Sequence, residues 1–226
     1  MIHNMRVVAL VPMKEHSERV PGKNTRRFSG RPLFHHILST LERNLAVDEV
    51  VVDTDSERIA REAAEHFRKV RVLVRPEHLR GDDVSMNLIL AHDIAEAESD
   101  IYFQTHATCP LLRSETITEA LRRFVEDGSS DSLFSVSRYQ SRFYTADGRA
   151  INHDPERLIR TQDLEPIFEE NSVLYVFTRE SFGAKQRRVG LKPLMFVTDR
   201  VESIDIDDEY TFRLAEMLAG YAHHEL

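Results

Sequence analysis

One cysteine, Cys109, and no tryptophan occur among the 226 residues. A lone thiol excludes an intrachain disulfide and points to a reducing compartment. No apolar run approaches the length of a membrane span. The opening MIHNMRVVALVP lacks the apolar core and small-residue cleavage site of a secretory signal. The expectation is a cytoplasmic protein with no membrane partner. An excess of positive charge is also missing: 30 Lys+Arg against 38 Asp+Glu give a formal net charge of −8. Counterion release on nucleic acid needs a basic stripe, so neither DNA nor RNA is expected as a partner. Repeats and low-complexity tracts are absent. What remains, 41% hydrophobic and 30% charged, fits a single domain spanning residues 1–226.

Short β-branched runs alternate with amphipathic patterns along the chain. Strands are predicted at Arg6–Val11, Glu49–Asp53, Val70–Val74, Ile101–Thr105, Ser132–Ser137, Ser172–Thr178 and Leu194–Val197. Helices are predicted at Pro32–Ala46, Ser56–Phe67 (with Ser56 as N-cap), Met86–Glu98, Ser114–Asp127 and about 208–221. This order predicts an α/β fold with a mainly parallel sheet and helices on both faces. Ligands in such sheets bind beyond the carboxyl ends of the strands. The stretch 138–170, with turns at Asp147-Gly148 and Asp154-Pro155, breaks the rhythm and reads as a small arm or lid.

The loop from Val11 to Asn24, VPMKEHSERVPGKN, leaves the first strand with Lys14, Arg19, Lys23, Ser17, Asn24 and a Pro21-Gly22 turn. Backbone N–H groups near the glycine and three cations suit a polyphosphate. Taken alone, such a loop is more often an ordinary solvated connection. Neither a Walker A nor a G-x-G-x-x-G pattern is present. A second signal is Ser203-Ile-Asp-Ile-Asp-Asp208. Residues two apart on a strand share a face, so Asp205 and Asp207 would point together while Ile204 and Ile206 pack inward. Two carboxylates plus phosphates suit Mg²⁺; Asp208 reads as a helix cap. Asp53-Thr-Asp55 has the same spacing, but capping of the next helix accounts for it. Arg75-Pro76 ends the third strand, where the arginine is equally readable as a contact to a nucleotide base or phosphate and as a surface residue. Gln104 and His106 end the fourth, two apart and on one face. Cys109 has no marked partner base. The adjacent pairs His35-His36 and His223-His224 cannot face one ion as i, i+4 pairs do, so no zinc site is read.

Together these residues resemble the acylneuraminate cytidylyltransferases, the CMP-sialic acid synthetase family, over nearly the whole chain. The resemblance rests on S-x-x-x-P-x-K-N at Ser17–Asn24, Thr54-Asp55-Ser56, and Arg75-Pro76 with Leu79 and Asp82. It extends to Arg160-Thr-Gln-Asp-Leu164 for R-R-Q-D-L, Glu170-Asn171-Ser172 for E-N-G, and Ser203–Asp207 for D-x-D. It implies a Rossmann-like nucleotidyltransferase, a homodimer whose arm reaches the partner's site, and Mg²⁺. The implied reaction joins CMP from CTP to a 2-keto sugar acid and releases pyrophosphate. By position, Lys14, Ser17, Lys23, Asn24, Arg75, Asp82 and Ser85 are implied to bind the nucleotide. Gln104, His106, Arg160, Gln162 and Asn171 are implied to bind the sugar, and Asp205 and Asp207 the metal.

Departures gather on the sugar side: His106 stands where the family has a substrate-facing Gln, Thr161 replaces an Arg, and Ser172 replaces a Gly. The reaction expected is in-line attack of a sugar hydroxyl on the α-phosphorus, with Lys14, Lys23 and Asp205 as the catalytic groups. Whether Asp205 or a water takes the proton stays open. Arg160, Arg142 and Arg113 are the candidates for the substrate carboxylate. Rival readings are a cytidylyltransferase for the eight-carbon acid Kdo, a glycosyltransferase using Asp205-x-Asp207, and an inactive nucleotide-binding module.

Overall fold

The computed structural model describes Ile2 and residues 4–222; His223-His224 lies outside them. In chain order the elements are β1 (Val7–Leu10), a short hairpin β2 (Arg27–Phe28) and β3 (Arg31–Pro32), α1 (Phe34–Arg43), β4 (Glu49–Thr54), α2 (Glu57–His66) and β5 (Val70–Val74). There follow α3 (Met86–Glu96), β6 (Ile101–Thr105), α4 (Ser114–Asp127), β7 (Ser132–Tyr139), β8 (Ile167–Phe177), α5 (Arg179–Lys185), β9 (Pro193–Val197) and α6 (Glu209–Ala222). Seven strands form one sheet in the order β5-β4-β1-β6-β8-β7-β9. β8 runs antiparallel to both its neighbours, β6 and β7, while the other pairings are parallel. The predicted α/β fold with a mainly parallel sheet is therefore the observed one.

Alternation along β1 decides the layering. Val7 and Ala9 pack with Phe34, Ile37 and Leu41 of α1, Ile59 of α2 and Ile117 and Leu121 of α4. Val8 and Leu10 face the other way, against Leu90 and Ile94 of α3 and Phe182 of α5. All four β1 residues are fully buried, and Val7, Val8 and Leu10 each contribute about 1.5–3 kcal/mol by leaving water. Leu10→Ala would cost about 2–5 kcal/mol through the cavity it leaves. A third, smaller cluster joins Val20 of the first loop, Phe28 of the hairpin, Ile206, and Phe212 and Ala215 of α6.

Local signals placed most boundaries. Ser56 Oγ accepts from the Ile59 amide at 3.3 Å and opens α2. Gly128, at φ +60°, closes α4. Differences have physical causes. α1 starts at Phe34, not Pro32, because residues 27–32 turn back as the small hairpin, which uses Gly30 at φ +94°. β8 starts at Ile167, five residues before the predicted strand, and its register slips between Phe134 and Val136 of β7. The slip coincides with Ser172 at φ +59°, a bulge that interrupts the alternation a strand reading relies on. α5, too short for a periodic signal, was not predicted. Ser203 ends a turn and Ile204–Asp207 are irregular, not a strand of the sheet. Among the described residues no helix is long and apolar enough to cross a membrane.

Candidate active site

The carboxyl ends of β1, β5 and β6 open into a cleft of about 590 Å³. β1 continues beside β4 through Val11 N–H to Val51 O and Met13 N–H to Asp53 O, both 2.9 Å, before the chain swings away as the basic loop. Gly22, at φ +62°, supplies the left-handed turn that lets Thr25 and Arg26 N–H fold back on its carbonyl. The Asn24 amide clamps the loop by donating to Lys14 O at 2.8 Å. Lys23, buried, turns under the loop and donates to Ile206 O at 2.6 Å, with Asp207 Oδ1 3.8 Å away. Burial lowers the Lys23 pKa, against the opposing pull of Asp205 and Asp207.

The acidic segment is held beside β6 by one backbone bond, Ile206 N–H to Thr108 O at 2.9 Å. Ile206 is fully buried, so its neighbours Asp205 and Asp207 both face the cleft. The alternation expected of a strand thus survives without a ladder. Burial first, and Asp207 next to it, raise the Asp205 pKa, while Thr108 opposes the shift. Asp205 Oδ1 is buried without a hydrogen-bond partner. Asp207 is paired with Arg19 at 2.7 Å. An orphaned carboxylate oxygen beside a second carboxylate fits the two-carboxylate donor set that Mg²⁺ takes together with phosphate oxygens and water. No cluster of three or more His, Cys, Asp or Glu side chains suited to a metal occurs among the described residues.

Of the residues singled out in the sequence, Lys14, Ser17, Arg19, Lys23, Asn24, Arg75, Asp82, His106, Ser172, Asp205 and Asp207 line this one cleft. Lys14 is ion-paired with Asp82 across it. Arg75 is 4% exposed and paired with Asp53, which is fully buried; its Nη2 also donates to Met13 O at 3.3 Å. Capping therefore does not account for Asp53-Thr-Asp55: Asp53 holds Arg75, and Asp55 accepts from Glu15 N–H at 2.8 Å. Behind Asp53 lies Asp93 of α3, whose pKa rises to about 9 through burial and then through the Asp53 charge.

The remaining residues stand elsewhere. Ser85 caps α3, accepting from Asn87 N–H at 3.3 Å. Arg160 and Gln162 are exposed on the arm, with Arg160 paired to Asp163 at 2.8 Å. The Asn171 amide donates to the hydroxyls of Ser137, Thr198 and Ser203 at 2.7–3.1 Å, tying β8 to the segment after β9. Arg113 binds Glu202 and Arg142 donates to Ile159 O, so neither lines the cleft. Gln104 is fully buried behind His106. Cys109 is buried, and burial raises its pKa, which keeps it an inert thiol. His36 Nε2 donates to Phe28 O at 2.9 Å, and His35 faces Glu62 at 3.5 Å.

Arg188, just beyond α5, was missed. It lines the cleft and stacks on Tyr175 with its guanidinium carbon 3.7 Å from the ring centre. In sequence it is one of several basic residues in AKQRR, and nothing there distinguishes it from a solvated arginine.

Comparison with known proteins agrees with this geometry. A family model described as Cytidylyltransferase matches residues 8–221. The chain is 30% identical to a CMP-N,N'-diacetyllegionaminic acid synthase of Legionella pneumophila, over 95% of this chain and 96% of that one. It is 25% identical to a pseudaminic acid cytidylyltransferase of Campylobacter jejuni, over 97% and 98%. The fold is shared with the structure of a CMP:2-keto-3-deoxy-manno-octonic acid synthetase complexed with CTP, at a TM-score of 0.69 and 15% identity, covering 96% of this chain and 99% of that one.

Proposed function

As the chain belongs to the cytidylyltransferase family, we propose that it transfers CMP from CTP to a nonulosonic acid, a nine-carbon 2-keto sugar acid, and releases pyrophosphate. The observation that carries this reading is the convergence of Lys23 with Asp205 and Asp207 in a cleft that also holds Lys14 and Arg19. Cations for a triphosphate and carboxylates for its counter-ion are what nucleotidyl transfer needs at one point. Similarity over at least 95% of the chain to a diacetyllegionaminic acid synthase and a pseudaminic acid cytidylyltransferase favours a nonulosonate over Kdo, whose cytidylyltransferase aligns with 55% of this chain.

In this reading Lys14, Arg19 and Lys23 hold the phosphates, exchanging their present partners Asp82 and Asp207 for phosphate oxygens. Asn24 fixes the loop that carries them. The sugar hydroxyl is aligned for in-line attack on the α-phosphorus, so the protein contributes positioning and charge rather than covalent chemistry. Asp205 and Asp207 would hold Mg²⁺, which offsets charge on the phosphates when bound. Asp205, whose Oδ1 has no hydrogen-bond partner, or a water beside it would accept the hydroxyl proton. The arm between β7 and β8 exposes Tyr144, Ile151 and Leu158, which suits a homodimer in which it covers the partner's cleft and brings Arg160 and Gln162 to the sugar.

The test is pyrophosphate release with CTP, UTP, ATP and GTP across a panel of ulosonic and nonulosonic acids. Turnover with CTP and a nonulosonic acid is expected. Preference for Kdo, or for another nucleotide, overturns the reading.

A further inference from the structure

Five side chains form a continuous hydrogen-bonded line along one side of the cleft. Arg188 Nη1 donates to Gln104 Oε1 at 2.8 Å, and Gln104 Nε2 lies 2.9 Å from His106 Nε2. Arg188 Nη2 donates to the Tyr175 hydroxyl at 2.9 Å, which in turn donates to Glu170 Oε1 at 2.5 Å. The chemistry of the groups fixes every proton in this line. A guanidinium only donates, so the Gln104 oxygen must face Arg188. The Gln104 NH₂ then faces His106, whose Nε2 must accept. His106 is therefore neutral and carries its proton on Nδ1. Burial, together with the Arg188 and Lys23 charges, holds its pKa at about 3, in keeping with this assignment.

Arg188 itself is a desolvated cation, its side chain 18% exposed, with the Glu170 carboxylate no nearer than 4.0 Å. Burial lowers its pKa. Two of its five N–H groups are used by Gln104 and Tyr175. A largely buried guanidinium that hydrogen-bonds only neutral groups, its nearest carboxylate 4.0 Å away, can accept a further anionic or strongly accepting partner. Lys14, Arg19 and Lys23 already serve the phosphates, and His106 lies within the electrostatic reach of both Lys23 and Arg188.

We propose that Arg188 and His106 form a donor edge that reads an acceptor oxygen of the sugar acid, with Gln104 as the positioning residue that sets the His106 tautomer. His106 Nδ1–H supplies one donor and Arg188 supplies up to three. The shared chemistry is an oxygen acceptor, either the substrate carboxylate or an acyl-amide carbonyl. This assignment rests on the nonulosonate reading above and adds the residues that select the acid. It also explains how a histidine stands where an amide donor is expected: locked as the Nδ1–H form, it still offers one N–H donor.

The experiment combines kinetics with histidine-ring ¹⁵N NMR on the intact protein. Arg188→Met should raise KM for the sugar acid about 10- to 100-fold, the cost of a lost charged hydrogen bond, while KM for CTP stays within about twofold. The unchanged CTP value also certifies folding. In wild type, His106 should carry its proton on Nδ1 and stay neutral down to pH 5. Gln104→Glu, unable to donate, should move the proton to Nε2. A KM penalty that persists with an acid lacking N-acyl groups assigns the carboxylate; one that disappears assigns the carbonyl. An Nε2–H tautomer in wild type, or an unchanged sugar KM in Arg188→Met, overturns the proposal while leaving the function reading intact. If wild type turns over no nonulosonic acid, the function reading fails and this inference fails with it.

Discussion

Lys23 Nζ and the carbonyl oxygen of Ile206 are hydrogen-bonded at 2.6 Å although 183 residues separate them. The bond fastens the basic loop to the acidic segment, alongside the Arg19–Asp207 ion pair and the shared packing of Val20 and Ile206. Removing the charge while keeping the length tests its role. Lys23→Met should lower kcat/KM for pyrophosphate release at least about 100-fold, the scale of losing one preorganised electrostatic group. A variant retaining more than a tenth of wild-type activity would remove Lys23 from the machinery.

Asp205→Asn should abolish turnover and yet stabilise the fold. Burial raises the folded pKa of Asp205 above the unfolded value of 3.8. The folded chain thus binds that proton more tightly than the unfolded chain. Stability is fully supported below the unfolded value and declines as pH rises through the folded one. At neutral pH the buried charge is a cost, and an amide of the same shape removes it. A gain of about 1 kcal/mol corresponds to a rise in Tm of about 2–4 °C for a chain of this size. Calorimetry at pH 7 checks this, and a lower Tm would contradict the assignment.

Asp93 should hold its proton at neutral pH. It is fully buried beside Asp53, which Arg75 occupies, and both Asp93 oxygens lack other partners. With a folded pKa of about 9 against 3.8 unfolded, its contribution to stability is complete below pH 3.8 and is lost progressively as pH rises toward 9. Over pH 6–8 the wild type should lose up to about 1.4 kcal/mol more per pH unit than Asp93→Asn. Urea unfolding of both proteins at three pH values measures the difference. Parallel slopes would mean that Asp93 is ionised.

Much of this site was legible in the sequence. The basic loop announced itself through Lys14, Lys23 and Gly22, and Asp205-x-Asp207 through spacing alone, because both depend on local order. Gln104 and His106 were paired by strand alternation, and they are hydrogen-bonded. What alternation could not say is that Gln104 is sealed behind His106. Arg188 was illegible because its significance lies in a stack on Tyr175 and a bond to Gln104, contacts made across 13 and 84 residues. The start of β8 was hidden for a related reason: Glu169 and Glu170 are exposed, and the bulge at Ser172 breaks the period.

Gly190 should tolerate no side chain. A Cβ there would overlap the Asp131 carboxylate, which accepts from Leu191 N–H at 2.6 Å and Lys192 N–H at 3.0 Å. Gly190→Ala should cost about 1–3 kcal/mol by overpacking. By displacing the segment that carries Arg188, it should also raise the sugar-acid KM more than the CTP KM. Equal effects on both would show that the segment does not position Arg188.

The third core cluster has a consequence for the order of assembly. Val20 and Phe28, under the basic loop, share their packing with Ile206, Phe212 and Ala215. During synthesis the loop leaves the ribosome early, but its floor does not exist until the last fifth of the chain has emerged. The sheet can begin to pair once β4, β5 and β6 follow β1, whereas the cleft must wait for one of the longest loop closures in the protein, a slow class of folding event. Nucleotide affinity would therefore appear late in refolding, after the sheet's far-ultraviolet signal, and a chain ending before residue 204 would be a folded sheet without a floor to its phosphate loop.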